Sequence, residues 1–162
     1  MKTHGSQPRE VFSFTDFLAW ALFALIPVLT AIYAISRQSV VWTVIYIIFL
    51  AGGLAVMHRF FCTHCPHYNN TGKSTRCMFF WSLPAFFTPR PGPLKLLDKA
   101  ASGFAMLIAV IFPLYWLFGH LLLLFVYIIS WTALGMFLYK YECIRCIYNE
   151  CPLNQVDITG GK

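Results

Sequence analysis

The chain is predicted to be an all-α integral membrane protein with four transmembrane helices, paired as two antiparallel hairpins. Three observations predict it. Of 162 residues, 59% are hydrophobic and 11% charged, against about 25% charged in a soluble domain. The apolar residues fall in long blocks without a 2-residue or 3.6-residue alternation. All six cysteines lie outside those blocks, in two short polar stretches. We read residues 1–162 as a single membrane domain, with spans at about 17–35, 40–57, 101–118 and 121–139 and cysteine loops at 58–99 and 140–155.

Taken in order, the chain opens on a mixed-charge tail ending at Asp16, followed by an uncharged run from Phe17 to Ile35. That run is longer than the roughly 7–15 apolar residues of a signal peptide. Its Pro27 is tolerable in a membrane helix. Ser36 to Ser39 is a polar turn short enough to join antiparallel neighbours, and Val40 to Met57 is the second span. Met78 to Phe87, aromatic but short and holding Pro84, suits a segment lying in the membrane interface or packed on the helices. The prolines of Thr88-Pro-Arg-Pro-Gly-Pro93 stiffen the linker that follows. Leu94 to Lys99 leads into the third span, with Lys95, Asp98 and Lys99 at headgroup level. Ala100 to Tyr139 carries no formal charge; as one straight helix it would be roughly 60 Å long, twice the hydrocarbon core. It must fold back, at Gly119-His120 or at Pro113, which leaves His120 as an exposed turn residue.

Four spans put both cysteine stretches on one face. Eleven of the twelve Lys and Arg lie on that face, with Arg37 alone opposite. The positive-inside rule then places both termini and both stretches in the cytoplasm of a multi-pass inner-membrane protein. The net charge of +6 follows from this bias. The basic residues accompany no nucleic-acid recognition motif, so anionic headgroups of the bilayer, and not nucleic acid, are the partner they suit.

His58 to Cys77 holds three cysteines and three histidines in twenty residues, and the second stretch runs Cys143-Ile-Arg-Cys146 to Cys151-Pro152. In a reducing cytosol such spacing points to metal binding or thiol redox work before structural disulfides. A C-x-x-C lets two sulfurs grip one metal, and Cys62, Cys65, Cys143 and Cys146 match a four-thiolate zinc or iron site. Cys77 and Cys151 each follow one pair. Either one centre is shared across the loops, or two sites of three cysteines are each completed by His67 or His64. His67 is the stronger nitrogen candidate, since His64 sits inside the pair; the plainer role for both is a solvated loop histidine or a hydrogen-bond partner. His58 and Arg59 are read as cations favouring a helix C-terminus at the headgroups. The metal-ligating set is therefore Cys62, Cys65, Cys77, Cys143, Cys146, Cys151 and His67.

The run Cys62-Thr-His-Cys-Pro-His-Tyr68, with Gly72, Cys77 and Arg90-Pro-Gly-Pro93, resembles a motif set of small prokaryotic integral membrane proteins of unassigned function. The resemblance implies a four-span, cysteine-motif membrane protein and supplies no activity. The closing run Cys143-x2-Cys146-x4-Cys151-Pro152 is similar to iron–sulfur ligand runs ending in Cys-Pro, though its spacing departs from the bacterial pattern. The helix count alone is similar to that of quinone-coupled thiol oxidoreductases of the vitamin K epoxide reductase type.

The expected function is a membrane protein that binds an iron–sulfur cluster or zinc through clustered cytoplasmic cysteines, for electron transfer with partner subunits or quinone. Soft-metal handling or thiol redox chemistry is the first alternative, and a structural zinc in an assembly or anchoring subunit the second. No phosphate-binding glycine loop, nucleophile elbow or H-E-x-x-H pair is present, which excludes the common hydrolase and transferase sites.

Overall fold

A computed structural model describes residues 12–69, 74–77, 79–84, 86–90, 92–143 and 146. Its elements in chain order are α1 (Phe14–Ser36), α2 (Val40–Phe60), a 3₁₀ turn (Cys62–His64), α3 (Pro66–Asn69), β1 (Ser74–Arg76), β2 (Trp81–Pro84), α4 (Leu96–Ile111), α5 (Leu114–Leu117), α6 (Leu121–Phe137) and a closing π-helical turn (Leu138–Glu142). Among the described residues, four helical stretches are long and apolar enough to cross a membrane: Phe14–Ser36, Val40–His64, Leu96–Leu117 and Leu121–Tyr141. Large apolar side chains such as Leu22, Leu29, Ile48, Phe104, Leu122 and Ile129 point outward from them. An outer surface of this kind suits lipid and not water. This is the build of a multi-pass membrane protein.

Local chemistry explains where the helices start and stop. The first begins three residues before the predicted span because Ser13 and Asp16 form a capping box. The Ser13 N–H donates to Asp16 Oδ2 at 2.9 Å, and the Asp16 N–H to Ser13 Oγ at 3.3 Å. Asp16 thus belongs to the helix and not to the tail, its charge favoured by the helix N-terminus. At the other end of α1, the N–H groups of Gln38 and Ser39 both donate to the Ile35 carbonyl, and Ser39 caps α2. The second helix runs on through His58 and Arg59 to Phe60.

The long uncharged region uses both predicted break points. Pro113 ends α4, one turn of helix follows, and the chain reverses at Phe118 to His120, where His120 is exposed as expected. Proline has no N–H, so the carbonyl four residues earlier, Ala109, loses its helical donor. The Tyr46 hydroxyl of α2 donates to that carbonyl at 3.3 Å, and the Tyr127 hydroxyl of α6 donates to the neighbouring Val110 carbonyl at 2.9 Å. Two buried tyrosines therefore satisfy backbone that lipid could not. They belong to the main core, with Ala31, Ala34 and Ile35 of α1 and Trp116 and Leu117 of α5. The most extensive helix packing is between α1 and α6 and between α2 and α4. Ala31 and Ala34 of α1 are fully buried, small residues of the kind that suit helix packing in membranes.

Within the segment from Met78 to Phe87, the described residues Phe79, Phe80 and Trp81 pack on protein. Its β2 pairs antiparallel with β1. The Trp81 indole donates to the Phe12 carbonyl at 3.3 Å and stands edge-on to Phe14, while Phe79 stands edge-on to Trp20. The sheet and these rings seat the first cysteine loop on the start of α1.

Candidate functional site

The site grows out of the end of α2. Thr63 Oγ1 donates to the Arg59 carbonyl at 2.8 Å, which carries the helix into the 3₁₀ turn. There the Cys65 N–H closes on the Cys62 carbonyl at 3.0 Å, and the Tyr68 N–H on the Cys65 carbonyl at 2.9 Å. The C-x-x-C is thus wound into one tight turn and the start of α3, where Pro66 fits a first helical position. Two ties hold this turn to the proline-rich linker. The Arg90 N–H donates to the Thr63 carbonyl at 2.9 Å. The Tyr68 hydroxyl donates to the Phe87 carbonyl at 2.7 Å and accepts from the Phe87 N–H at 3.0 Å.

Both cysteines of the turn are buried, on different sides of it. Cys62 packs with Tyr68, Phe79 and Phe80. It lies within electrostatic reach of Cys77 and Cys65. Cys65 packs with Leu94, and Phe61 and Cys146 lie against that pair. Cys146 comes from the far end of the chain. Its Sγ stands 3.7 Å from Nε2 of His67, across 79 residues of sequence. His67 is 2% exposed and stands edge-on to the Phe12 ring. It is therefore an interior residue and not a solvated loop histidine.

Of the predicted ligands, Cys62, Cys65, Cys77, Cys146 and His67 come into one neighbourhood around the turn. Cys143 is partly buried just beyond the π-helical turn, with its N–H on the Leu138 carbonyl. Cys151 lies outside the described residues. Among the described residues no disulfide joins these cysteines, and no three His, Cys, Asp or Glu side chains stand close enough together to hold one metal ion. The donor set, thiols with an imidazole, is that of a soft-metal site, but the described donors do not close on a single point.

Three polar residues behave differently from their sequence reading. His58 stands in the last turn of α2, as expected. It is buried among the rings of Tyr68, Phe80, Phe86 and Phe87, with centroids 5.1–6.3 Å away, and its Nε2 has no hydrogen-bond partner among the described residues. Arg59 lies with its guanidinium 5.4 Å from the centre of the Phe87 ring, a cation–π contact. Asp98, expected at headgroup level, is buried, and its Oδ2 stands 3.5 Å from His64 Nε2. The aromatic run from Phe79 to Phe87 was the available signal for the His58 enclosure. The His64–Asp98 approach, between residues far apart in sequence, left none.

Compared with known protein families, curated proteins and solved structures, the chain matches none. Its function is argued from the site alone.

Proposed function

We propose that this chain is a multi-pass protein of the inner membrane whose two cytoplasmic cysteine stretches jointly bind a soft metal, as zinc or an iron–sulfur cluster. Its spans form two antiparallel hairpins, with both termini in the cytoplasm, in keeping with the Lys and Arg asymmetry. The observation that carries the reading is the approach of Cys146 to His67, beside Cys65. It makes the two stretches parts of one thiol–imidazole neighbourhood. Electron transfer, with partner subunits or membrane quinone, is the use proposed for an iron–sulfur centre there.

A second reading is thiol redox chemistry at the C-x-x-C, and a specific observation favours it: no three described donors stand at metal-binding spacing. Two neighbouring thiols, such as Cys62 with Cys65 or Cys77, can close to a disulfide without a bound metal, passing two electrons and two protons to a membrane quinone.

Anaerobic purification with elemental analysis and a visible absorption spectrum separates the readings. The expected result is bound metal, with iron, acid-labile sulfide and a broad absorption for a cluster. Colourless protein with stoichiometric zinc supports a structural metal in an anchoring subunit. Metal-free protein with reactive thiols rejects the metal reading in favour of thiol redox chemistry.

A further inference from the structure

The two halves of the chain repeat each other at a fixed shift. In the first half α1 ends at Ser36 and α2 begins at Val40; in the second α5 ends at Leu117 and α6 begins at Leu121, each 81 residues on. The same shift carries Tyr46-Ile-Ile48 onto Tyr127-Ile-Ile129, and Cys62 and Cys65 onto Cys143 and Cys146. The matching tyrosines also act alike, Tyr46 donating to the Ala109 carbonyl and Tyr127 to the Val110 carbonyl. Packing follows the same rule. The shift takes α1 to the α4–α5 region and α2 to α6, so the two main helix contacts, α1 with α6 and α2 with α4, exchange places. A two-fold relation between the halves has that property, and internal repeats in membrane proteins place their shared site between them.

Cys65 and Cys146 are therefore the same position of the repeat, and they are also neighbours. Cys146 lies against the buried Cys65 and Leu94 pair. Their surroundings differ in two respects. Cys65 is 8% exposed, whereas Cys146 is partly exposed. The Cys146 Sγ stands 3.7 Å from His67 Nε2, and the position matching His67 in the second half is Tyr148. Cys146 thus combines an approach from outside with an imidazole at its sulfur.

We propose that Cys65 and Cys146 form a dithiol that reduces small disulfide compounds, with Cys146 as the attacking sulfur and Cys65 as the resolving one. The proposal rests on the thiol redox reading above and needs no metal. In the first step Cys146 attacks one sulfur of the substrate R–S–S–R′. A bond forms between Cys146 and the RS group, the S–S bond breaks, and R′S leaves with the Cys146 proton, carried across by His67 Nε2. Cys65 then attacks the Cys146 sulfur, closes the Cys65–Cys146 disulfide and releases RS together with the Cys65 proton. The substrate gains two electrons and two protons, and the chain loses them. The substrate is small because Cys146 is only partly exposed where it packs on Cys65 and Leu94.

The test treats the reduced, detergent-solubilised, full-length protein with one equivalent of 2,2′-dithiodipyridine. Absorption reads the released thione, and mass spectrometry of the digest maps the disulfides. Wild type is expected to release two thiones for each reagent molecule consumed and to yield a Cys65–Cys146 bridged peptide. Cys65→Ser should halve that yield and hold the pyridyl group on Cys146. A different pair closed in wild type, such as Cys62 with Cys77, overturns the proposal while the thiol redox reading stands. So does a full yield of two thiones from Cys146→Ser. Mixed disulfides alone, with no pair closed, overturn both. The wild-type peptide map decides the matter even where a variant does not fold.

Discussion

Cys146→Ser is expected to lower bound metal as severely as Cys65→Ser, with an affinity loss greater than the roughly 10–100-fold typical of outer-shell changes. The reason is geometric. Cys146 Sγ lies 3.7 Å from His67 Nε2 and packs against the Cys65 and Leu94 pair, so on the proposed reading the closing stretch would supply a donor to a centre at the first loop. If each stretch held its own metal, Cys146→Ser would leave the first loop loaded. Metal per chain, measured on the anaerobically purified variants, distinguishes the two. Retention of half the metal in both variants would contradict a shared centre.

The second large effect is expected at Tyr68. Its hydroxyl makes two hydrogen bonds to the Phe87 backbone, and the residue packs on Cys62. Tyr68→Phe keeps the ring and removes both bonds, leaving the part-buried Phe87 N–H and carbonyl without those partners at about 1–3 kcal/mol in total. Local opening of the loop then becomes easier by at least that lower figure. Alkylation of Cys62, which is 7% exposed, should accelerate by about 10–100-fold, since ~1.4 kcal/mol is tenfold. Residue-resolved alkylation rates measured by mass spectrometry check this. An unchanged rate at Cys62 would show that the Tyr68 ties do not guard the site.

Much of the helical layout was legible in the chain because uncharged blocks longer than a bilayer crossing leave few alternatives. The boundaries were less so. Asp16 read as tail because of its charge, although the Ser13-x-x-Asp16 pattern carried the cap that draws it into α1. Pro113 and Gly119-His120 appeared as rivals, whereas the chain uses both, with Tyr46 and Tyr127 making the first break tolerable. The β1–β2 pair escaped notice because three or four residues show no period. At the site, residue types and spacing singled out the cysteines and His67 as candidates, and the structure brings Cys146 to His67 beside Cys65. Their meeting did not follow from spacing, because it depends on how the end of α6 returns to the end of α2. His64 and Asp98 show the same limit. Each had a reasonable surface explanation, and only packing buries them against each other.

The central claim is that the two cysteine stretches meet. It is tested most directly in native membranes, on a chain that keeps Cys65 and Cys146 and carries serine at the other four cysteines. A short bis-alkylating reagent bridges only thiols that are close neighbours, and mass spectrometry of the digest reads the bridge. A Cys65–Cys146 bridged peptide is expected from the native membrane, and it disappears when the chain is denatured before reaction. Singly modified peptides alone, in native and denatured samples alike, would contradict it.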